Sequence, residues 1–135
     1  MKRLFFFGLL TMIALTACAG GSSASIRGEW RLVSYGPPSE QVSAVPDVET
    51  SIEFKDGQMS GSVGCNGFGG EYKVDGDTIT FDQIISTMMF CEGPVGGQEA
   101  ATLAVMHEAA KFTLDGDTLT ITSADGASAI VMERK

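Results

Sequence analysis

Three cysteines and one histidine are the side chains of this 135-residue chain best suited to covalent chemistry. A thiol can act as a nucleophile beside a general base, pair with a second thiol as a disulfide, or accept a modifying group. Cys65 and Cys91 lie in the middle of the chain, upstream of His107, the only histidine, while Cys18 lies near its start. The segments around each cysteine indicate which kind of chemistry applies.

The first eighteen residues have the pattern of an export signal. A positive start, residues 1–3, precedes an almost wholly apolar run over residues 4–15. Such a run is too short to span a bilayer comfortably and is typical of a signal peptide. The sequence Leu15-Thr16-Ala17-Cys18 resembles the lipobox of bacterial lipoproteins, a leucine and two small residues before a cysteine. We expect a signal peptide over residues 1–17 and lipid attachment at Cys18.

Resemblance to lipoproteins implies how the chain is held. The Cys18 thiol would receive a diacylglycerol, and the Cys18 amine that cleavage frees would receive an acyl chain such as palmitate. Each methylene of these chains that is buried in the bilayer strengthens membrane binding by about 0.8 kcal/mol. Ala19 follows rather than aspartate, which in a host with two membranes implies the periplasmic face of the outer membrane. The alternatives are an uncleaved membrane anchor and plain secretion with a stray cysteine. The expected location is the cell envelope.

With Cys18 assigned to lipid, Cys65 and Cys91 remain as a pair. In an oxidising compartment an even pair predicts a disulfide. Its loop closure would stabilise the fold by about 3 to 4 kcal/mol. The alternative is a catalytic thiol working with His107, which falls in a segment predicted to be helical and has no evident orienting partner. Two free thiols in the unreduced protein would contradict the bridge.

The mature chain is strongly acidic. Loss of residues 1–17 removes Lys2 and Arg3 and leaves seven basic against 17 acidic residues, a net charge of −10. Nucleic-acid binding depends on neutralising phosphates with lysine and arginine, and the sequence contains no basic cluster. Nucleic acid is therefore excluded as a partner, whereas attachment to a membrane through lipid remains compatible with the charge.

After the lipid site, residues 18–25 are small and have the composition of a flexible tether. Over residues 26–135 apolar and polar side chains alternate, as in half-buried strands. Trp30 is more typical of a core residue than of a ligand platform, and it shares a face with Leu32. One domain is expected here, because a chain of this length usually supports a single core.

Four Asp-Gly pairs separate the alternating runs and predict hairpin turns, at Asp56-Gly57, Asp75-Gly76, Asp115-Gly116 and Asp125-Gly126. Calcium binding at the doubled aspartates of two of these turns is the alternative, but a loop with six or more oxygen ligands is missing. One segment differs: Gln98 to Lys111 holds helix formers with apolar residues at Leu103, Met106 and Ala110. The sequence predicts a mainly β fold of the α+β type, antiparallel hairpins with one covering helix.

Around the two central cysteines the sequence becomes specific. The segments from Gly61 to Tyr72 and from Ser86 to Cys91, with Glu99 opening the predicted helix, resemble the META domain, or HslJ-like, family over about residues 26–133. The resemblance implies an open or cracked barrel with one helix. It also implies structural roles for the motif residues Gly64, Asn66, Gly70, Thr87, Met89 and Glu99. Phe90 stands where the family usually has alanine, and alternation along a strand predicts that it points away from Met89.

Asn66 is expected to serve a bend by hydrogen bonding to local backbone. The large apolar residues Met59, Met88, Met89 and Phe90 are predicted to pack in the core, although methionine also suits adaptable apolar binding surfaces.

The chain has no evident catalytic constellation, metal cluster or cofactor motif, and we predict that it is not an enzyme. The expected function is that of a membrane-anchored interaction module in stress response or envelope homeostasis, with an envelope protein as partner. Binding of an apolar ligand such as a lipid by the cracked barrel is the alternative. A hydrolase using Cys65 or His107 is a third hypothesis.

Overall fold

Residues 25–135, which the computed structural model describes, form nine strands and one helix. The predicted signal peptide, Cys18 and most of the predicted tether lie outside the described residues. The elements, in chain order, are β1 (Gly28–Gly36), β2 (Val42–Ser43), β3 (Ser51–Lys55), β4 (Gln58–Ser62), β5 (Gly67–Asp75), β6 (Thr78–Ser86), α1 (Gly93–Val105), β7 (Ala109–Asp115), β8 (Thr118–Ser123) and β9 (Ala129–Arg134).

Eight of the strands close into an antiparallel barrel in the order β1-β3-β4-β5-β6-β7-β8-β9, with β2 as a short addition to β1. Strand β1 closes the barrel, because its residues Gly28 to Trp30 pair with β3 and its residues Trp30 to Gly36 pair with β9. The expectation of an open or cracked barrel is therefore wrong. A long first strand that pairs on both sides leaves no sheet edge at this seam.

The strand registers define two ends of the barrel. The N-terminal end holds Ser25, the C-terminal Lys135 and the turns that follow β3, β5 and β7, because Gly28 pairs with Phe54 and Trp30 with Arg134. The far end holds the turns that follow β4 and β8, together with the segment between β6 and α1. All four Asp-Gly pairs lie in or beside hairpin turns, as predicted.

Side chains fill the interior of the barrel, as expected for eight strands. Trp30 is fully buried and its Nε1 donates to the Ile26 carbonyl at 2.7 Å, while Phe54 meets Tyr72 edge to face at 5.1 Å between ring centroids. The alternating pattern of β1 thus places Trp30 and Leu32 inward, as predicted. The other fully buried apolar residues include Ile52, Ile79, Leu119, Ile121, Ile130 and Met132.

The single helix of the described chain begins earlier and ends earlier than predicted. It starts at Gly93, since Pro94 is tolerated in a first helical turn, and it stops at Val105. Ala110 and Lys111, expected in the helix, lie in β7, where Ala110 is buried opposite Ile79; tertiary packing overrides their helix propensity. Within residues 25–135 the structure has no helix with the length and apolar content needed to span a bilayer.

The ladder that joins β6 to β7 is short. It has three pairs, from Thr78 with Lys111 to Thr80 with Ala109, and one further bond from the Phe81 amide to the Glu108 carbonyl at 3.0 Å. Beyond that bond, Asp82, Ile85 and Ser86 pair with β5 on one side of β6, and no described strand pairs with residues 82–86 on the other. The end of β6 therefore projects past β7 toward the far end.

Candidate functional site

The far end is organised around Asn66, a buried residue in the turn between β4 and β5. Its Oδ1 accepts hydrogen bonds from the Thr87 hydroxyl and the Met89 amide, both at 2.8 Å. Its Nδ2 donates to the Met89 carbonyl at 3.1 Å and to Glu99 Oε1 at 2.6 Å. The side-chain amide thus uses both donors and both acceptor positions. Asn66 binds residues more than twenty positions away rather than the local backbone expected from the sequence.

Glu99 of α1 completes this network. Its carboxylate is buried, and it accepts hydrogen bonds from the backbone N–H of Asn66 and from Asn66 Nδ2, both at 2.6 Å. A buried charge requires such charge-assisted partners. The helix is held against the same turn by Gln98, which donates to the Val63 carbonyl at 2.7 Å. Four of the predicted motif residues, Asn66, Thr87, Met89 and Glu99, therefore meet at one place.

A disulfide joins Cys65 to Cys91, as predicted, with 6.2 Å between the two Cα atoms. It links the β4–β5 turn to the segment that follows β6. Because Asn66 holds both backbone groups of Met89, the segment is fixed at two points within three residues. The backbone of residues 87–91 is thus firmly positioned although it belongs to no strand or helix.

The two motif glycines have backbone roles. Gly64 has a φ of 114°, and a Cβ there would lie 2.3 Å from Val48 Cγ1, so a larger residue would not fit the turn. Gly70 lies opposite an irregularity in the β5–β6 ladder, where a Cβ would meet Ile84 Cδ1 at 2.7 Å and the Asp82 carbonyl at 2.8 Å. The glycines permit the close approaches on which the far end depends.

Four large apolar side chains are exposed beside this network. Met88 is 95% exposed, Phe90 88%, Ile85 74% and Met89 61%. We call these four residues the apolar tip. Of the methionines and phenylalanine predicted to lie in the core, only Met59 does so. The prediction for the other three is wrong because β6 ends at Ser86 and the disulfide and Asn66 fix the backbone with the side chains outward.

Sequence reasoning missed the apolar tip as a surface feature. A run of methionines and a phenylalanine beside a disulfide cysteine looks like core, and no periodic pattern distinguishes it. The one available signal was Phe90 at a position where the resembling family has alanine. Phe90 was expected to face away from Met89 along a strand; both side chains are instead exposed outside any strand.

Charge divides the barrel along its axis. The basic residues of the described chain all lie toward the N-terminal end: Arg27, Arg31, Lys55, Lys73, Lys111, Arg134 and Lys135. Acidic residues occur at both ends, and Asp82, Glu92 and Glu108 are exposed near the apolar tip and the end of β6. The far end is therefore apolar and acidic, although Lys73 shares a shallow pocket with Glu71, Asp82 and Glu108 where the unpaired part of β6 begins.

One aspartate of each turn considered for calcium is paired with a cation. Asp77 lies 2.8 Å from Lys111 Nζ, and the hydrogen bond and charge of Lys111 lower the pKa of Asp77 below its ordinary value. Asp117 lies 3.4 Å from Arg134 Nε. These pairs serve the hairpins of the N-terminal end and supply the positive charge that a metal ion would otherwise bring.

The structure does not assemble the thiol and imidazole of the catalytic alternative. The Cys65 sulfur is bonded to Cys91, and the His107 side chain is 79% exposed with Glu108 as its charged neighbour at 3.8 Å. Cys65, Cys91 and Glu99 do bring ligand-type atoms within 4.8 Å of one another. Both sulfurs are used by the bridge, however, and both Glu99 oxygens accept hydrogen bonds from Asn66.

Comparison with known proteins agrees with this fold. The sequence model of the META domain family matches residues 24–135. A protein from Burkholderia xenovorans solved by NMR has a TM-score of 0.64 at 19% identity, covering 80% of this chain and 81% of its own. A DUF4847 family protein from Bacteroides vulgatus has a TM-score of 0.58 at 16% identity, covering 80% and 92%. No curated protein sequence matches.

Proposed function

The chain belongs to the META domain family, and on that premise we propose that it is a lipid-anchored, non-enzymatic interaction module of the cell envelope. In this proposal the lipid on Cys18 holds the domain at the membrane and the apolar tip at the far end binds a protein partner. The role is envelope homeostasis or stress response rather than catalysis. The exposure of the apolar tip on a firmly held backbone is the observation that carries it.

The apolar tip is costly to expose in a monomer. Large contiguous apolar patches that are exposed on soluble proteins commonly mark interaction sites. A loop that was free to move would fold Met88 and Phe90 back against the barrel, but the disulfide and Asn66 prevent this. Such preorganisation favours binding, since little conformational entropy is lost when a partner docks.

The position of the N terminus supports this arrangement. Seven residues, 18–24, precede Ser25, and fully extended they span at most about 25 Å. Ser25 lies at the N-terminal end, where its carbonyl accepts a hydrogen bond from Arg134 at 3.3 Å. A lipid on Cys18 would hold this end near the bilayer and direct the apolar tip away from it. The basic residues at the same end would also face the anionic headgroups.

The test places a photo-crosslinking amino acid at Phe90 in the full chain, in cells. We expect crosslinks to a protein partner from Phe90 and none from the matched exposed position Val74, which is 45% exposed near the β5–β6 turn. Crosslinks from both positions alike, or from neither, would contradict the proposal. The anchor is tested separately by Cys18→Ser, which should release the protein from membranes and remove the lipid mass.

A second candidate, binding of an apolar ligand, has one observation in its favour. The barrel interior is filled by side chains, but a groove of about 760 Å³ crosses the outer face of β4, β5 and β6 beside Ile85. A Cβ at Gly67 would meet open space in that groove, so Gly67→Leu would fill it without a clash. Loss of fatty-acid binding in this variant, with none in Gly97→Leu on α1, would support the candidate; no fatty-acid binding by the unaltered chain would discard it.

A further inference from the structure

We propose that the unpaired edge of β6 at residues 82–86 binds an extended segment of a partner protein, one that alternates apolar with lysine or arginine side chains. The inference rests on the proposed function as an interaction module and specifies the chemistry of its partner. Three independent features of the described residues point to it: the open backbone edge, the apolar side chains beside it, and the charge around it.

The backbone edge is the first feature. Thr87 donates its amide to the Gly67 carbonyl on the β5 side at 3.0 Å, whereas the Phe81 amide points to the opposite side and bonds to Glu108. Alternation along β6 therefore leaves backbone groups between these two points directed away from β5, where no described strand receives them. An unpaired strand edge is a template for another strand, and β-augmentation uses such edges.

The irregular register of β6 arranges the side chains along this edge. Gln83 has a φ of 51° at the point where the β5–β6 ladder shifts, opposite Gly70. Bulges of this kind re-aim neighbouring side chains. Ile84 turns toward Gly70 and the core, and Ile85 turns to solvent. Because Gly70 has no side chain, Ile84 can pack toward the core while Ile85, the next residue, faces solvent.

The apolar tip continues the edge. Ile85 lies on it, and Met88, Met89 and Phe90 follow directly after β6 ends at Ser86. A strand placed along residues 82–86 would set its own alternate side chains beside Ile85 and Phe90. Main-chain bonds would supply affinity and the apolar contacts would select hydrophobic residues at every second position.

Charge selects among the possible occupants. Three acids, Glu71, Asp82 and Glu108, line a pocket at the start of this edge together with one cation, Lys73. Glu92 adds a further exposed acid just after the apolar tip, and the other described basic residues lie toward the N-terminal end. A second copy docked by two-fold symmetry would bring the same acidic patch against itself, which is unfavourable. An anionic bilayer would also be repelled, and Ser25, the first described residue after the proposed anchor, lies at the opposite end. A basic segment of another protein is the occupant that complements both the apolar and the acidic groups.

The experiment uses the full chain reconstituted in phosphatidylcholine nanodiscs and a fluorescent ten-residue peptide of alternating valine and lysine. We expect the valine–lysine peptide to bind and a valine–glutamate peptide of equal length not to bind. Methylating the backbone nitrogens of all valines blocks one hydrogen-bonding edge of the peptide strand, and methylating those of all lysines blocks the other edge. At least one of these two methylated peptides should fail to bind. Phe90→Ala should weaken binding about tenfold, as for a central apolar contact.

Matched charge variants separate the site from general attraction to an acidic protein. The double variant Asp82→Asn with Glu92→Gln should weaken binding about fivefold or more at low salt, whereas Asp115→Asn with Asp117→Asn, which removes the same charge at the N-terminal end, should not. Equal losses in the two double variants, equal binding of both methylated peptides, or no binding of the valine–lysine peptide would each overturn the inference. Crosslinking at Phe90 without peptide binding would leave the proposed function standing and this inference refuted.

Discussion

The N-terminal end and the far end of the barrel are built from opposite kinds of side chains. At the N-terminal end, exposed acids in turns pair with bases on neighbouring strands, as Asp77 does with Lys111. At the far end, the polar residues Asn66 and Glu99 are buried while Met88 and Phe90 are in solvent. The first end follows the usual distribution of polar residues outside and apolar residues inside, and the second inverts it.

This inverted distribution identifies the part of the fold where the arrangement of side chains does not serve stability alone. A buried carboxylate and an exposed phenylalanine are each unfavourable on their own. Here the buried polar pair is what holds the exposed apolar segment, because Asn66 binds the backbone of Met89 on one side and Glu99 on the other. Consistency across the rest of the barrel makes the far end the place where function is expected.

The largest effect should come from Asn66→Ala. This change removes the bonds to Thr87, Met89 and Glu99 and leaves the buried Glu99 carboxylate with one of its two donors. We expect a loss of about 4 kcal/mol in the free energy of unfolding, measured by urea denaturation, since breaking a buried charged hydrogen bond costs the desolvation of the partner left behind.

Asp125→Asn serves as the control for that change, because Asp125 is an exposed turn residue at the same far end. Its effect on the free energy of unfolding at neutral pH should be only a small fraction of the loss in Asn66→Ala, as for most surface substitutions. Equal stability losses in the two variants would show that the buried network does not support the far end more than an ordinary turn does.

Opening the disulfide should have the next largest effect. The double variant Cys65→Ser with Cys91→Ser is expected to lower the free energy of unfolding by about 3 kcal/mol through the lost constraint on the unfolded chain. It should also raise hydrogen exchange at residues 87–91 by more than this global loss accounts for, while the hairpins at the N-terminal end lose only the protection that follows from the lower global stability. An increase at residues 87–91 no larger than that at the hairpins would contradict the idea that the bridge acts locally on the apolar tip.

The contrast between the ends also explains what the sequence could predict. Asp-Gly turns and alternating strands are signals contained within ten residues, and they identified the hairpins and the shared inward face of Trp30 and Leu32 correctly. The disulfide followed from the number of cysteines and the expected compartment. The start of the helix was missed because its first turn contains glycines and a proline, which are poor helix formers.

The far end depends on contacts that no local pattern contains. The barrel closes by pairing β1 with β9, which are the first and last strands in the sequence, and Asn66 binds Glu99, which lies 33 positions further along the chain. The exposure of Phe90 depends on where β6 stops, which is set by the turn, the bridge and the helix together. Motif residues could be named from the family resemblance, but the surface that they hold outward could not.

A smaller effect concerns acid stability. Hydrogen bonding and charge from Lys111 lower the pKa of Asp77, and a hydrogen bond from Ser123 lowers the pKa of Asp125. Each group therefore stabilises the fold above its ordinary pKa of 3.8, and this contribution is lost as the pH falls through the lower folded value. Asp77→Asn and Asp125→Asn should each flatten the fall in the urea midpoint below about pH 4.

Salt distinguishes the two aspartates. About 1 M sodium chloride screens the exposed charge pair of Asp77 with Lys111 but has little effect on the hydrogen bond of Asp125 with Ser123. The acid-range difference between Asp77→Asn and the unaltered chain should therefore shrink in salt, while that for Asp125→Asn should persist. Equal salt sensitivity of both differences would mean that charge pairing is not peculiar to the N-terminal end.

The smallest effect on stability should come from Phe90→Ala, and its smallness is informative. Phe90 is 88% exposed, so truncation removes little buried area and should change the free energy of unfolding by less than about 0.5 kcal/mol. Phe54→Ala, with the same change of side chain at a fully buried position, should cost about 3 to 5 kcal/mol. A large loss from Phe90→Ala in urea denaturation would mean that Phe90 packs against the barrel in solution, and the far end would then have no preformed apolar surface to offer a partner.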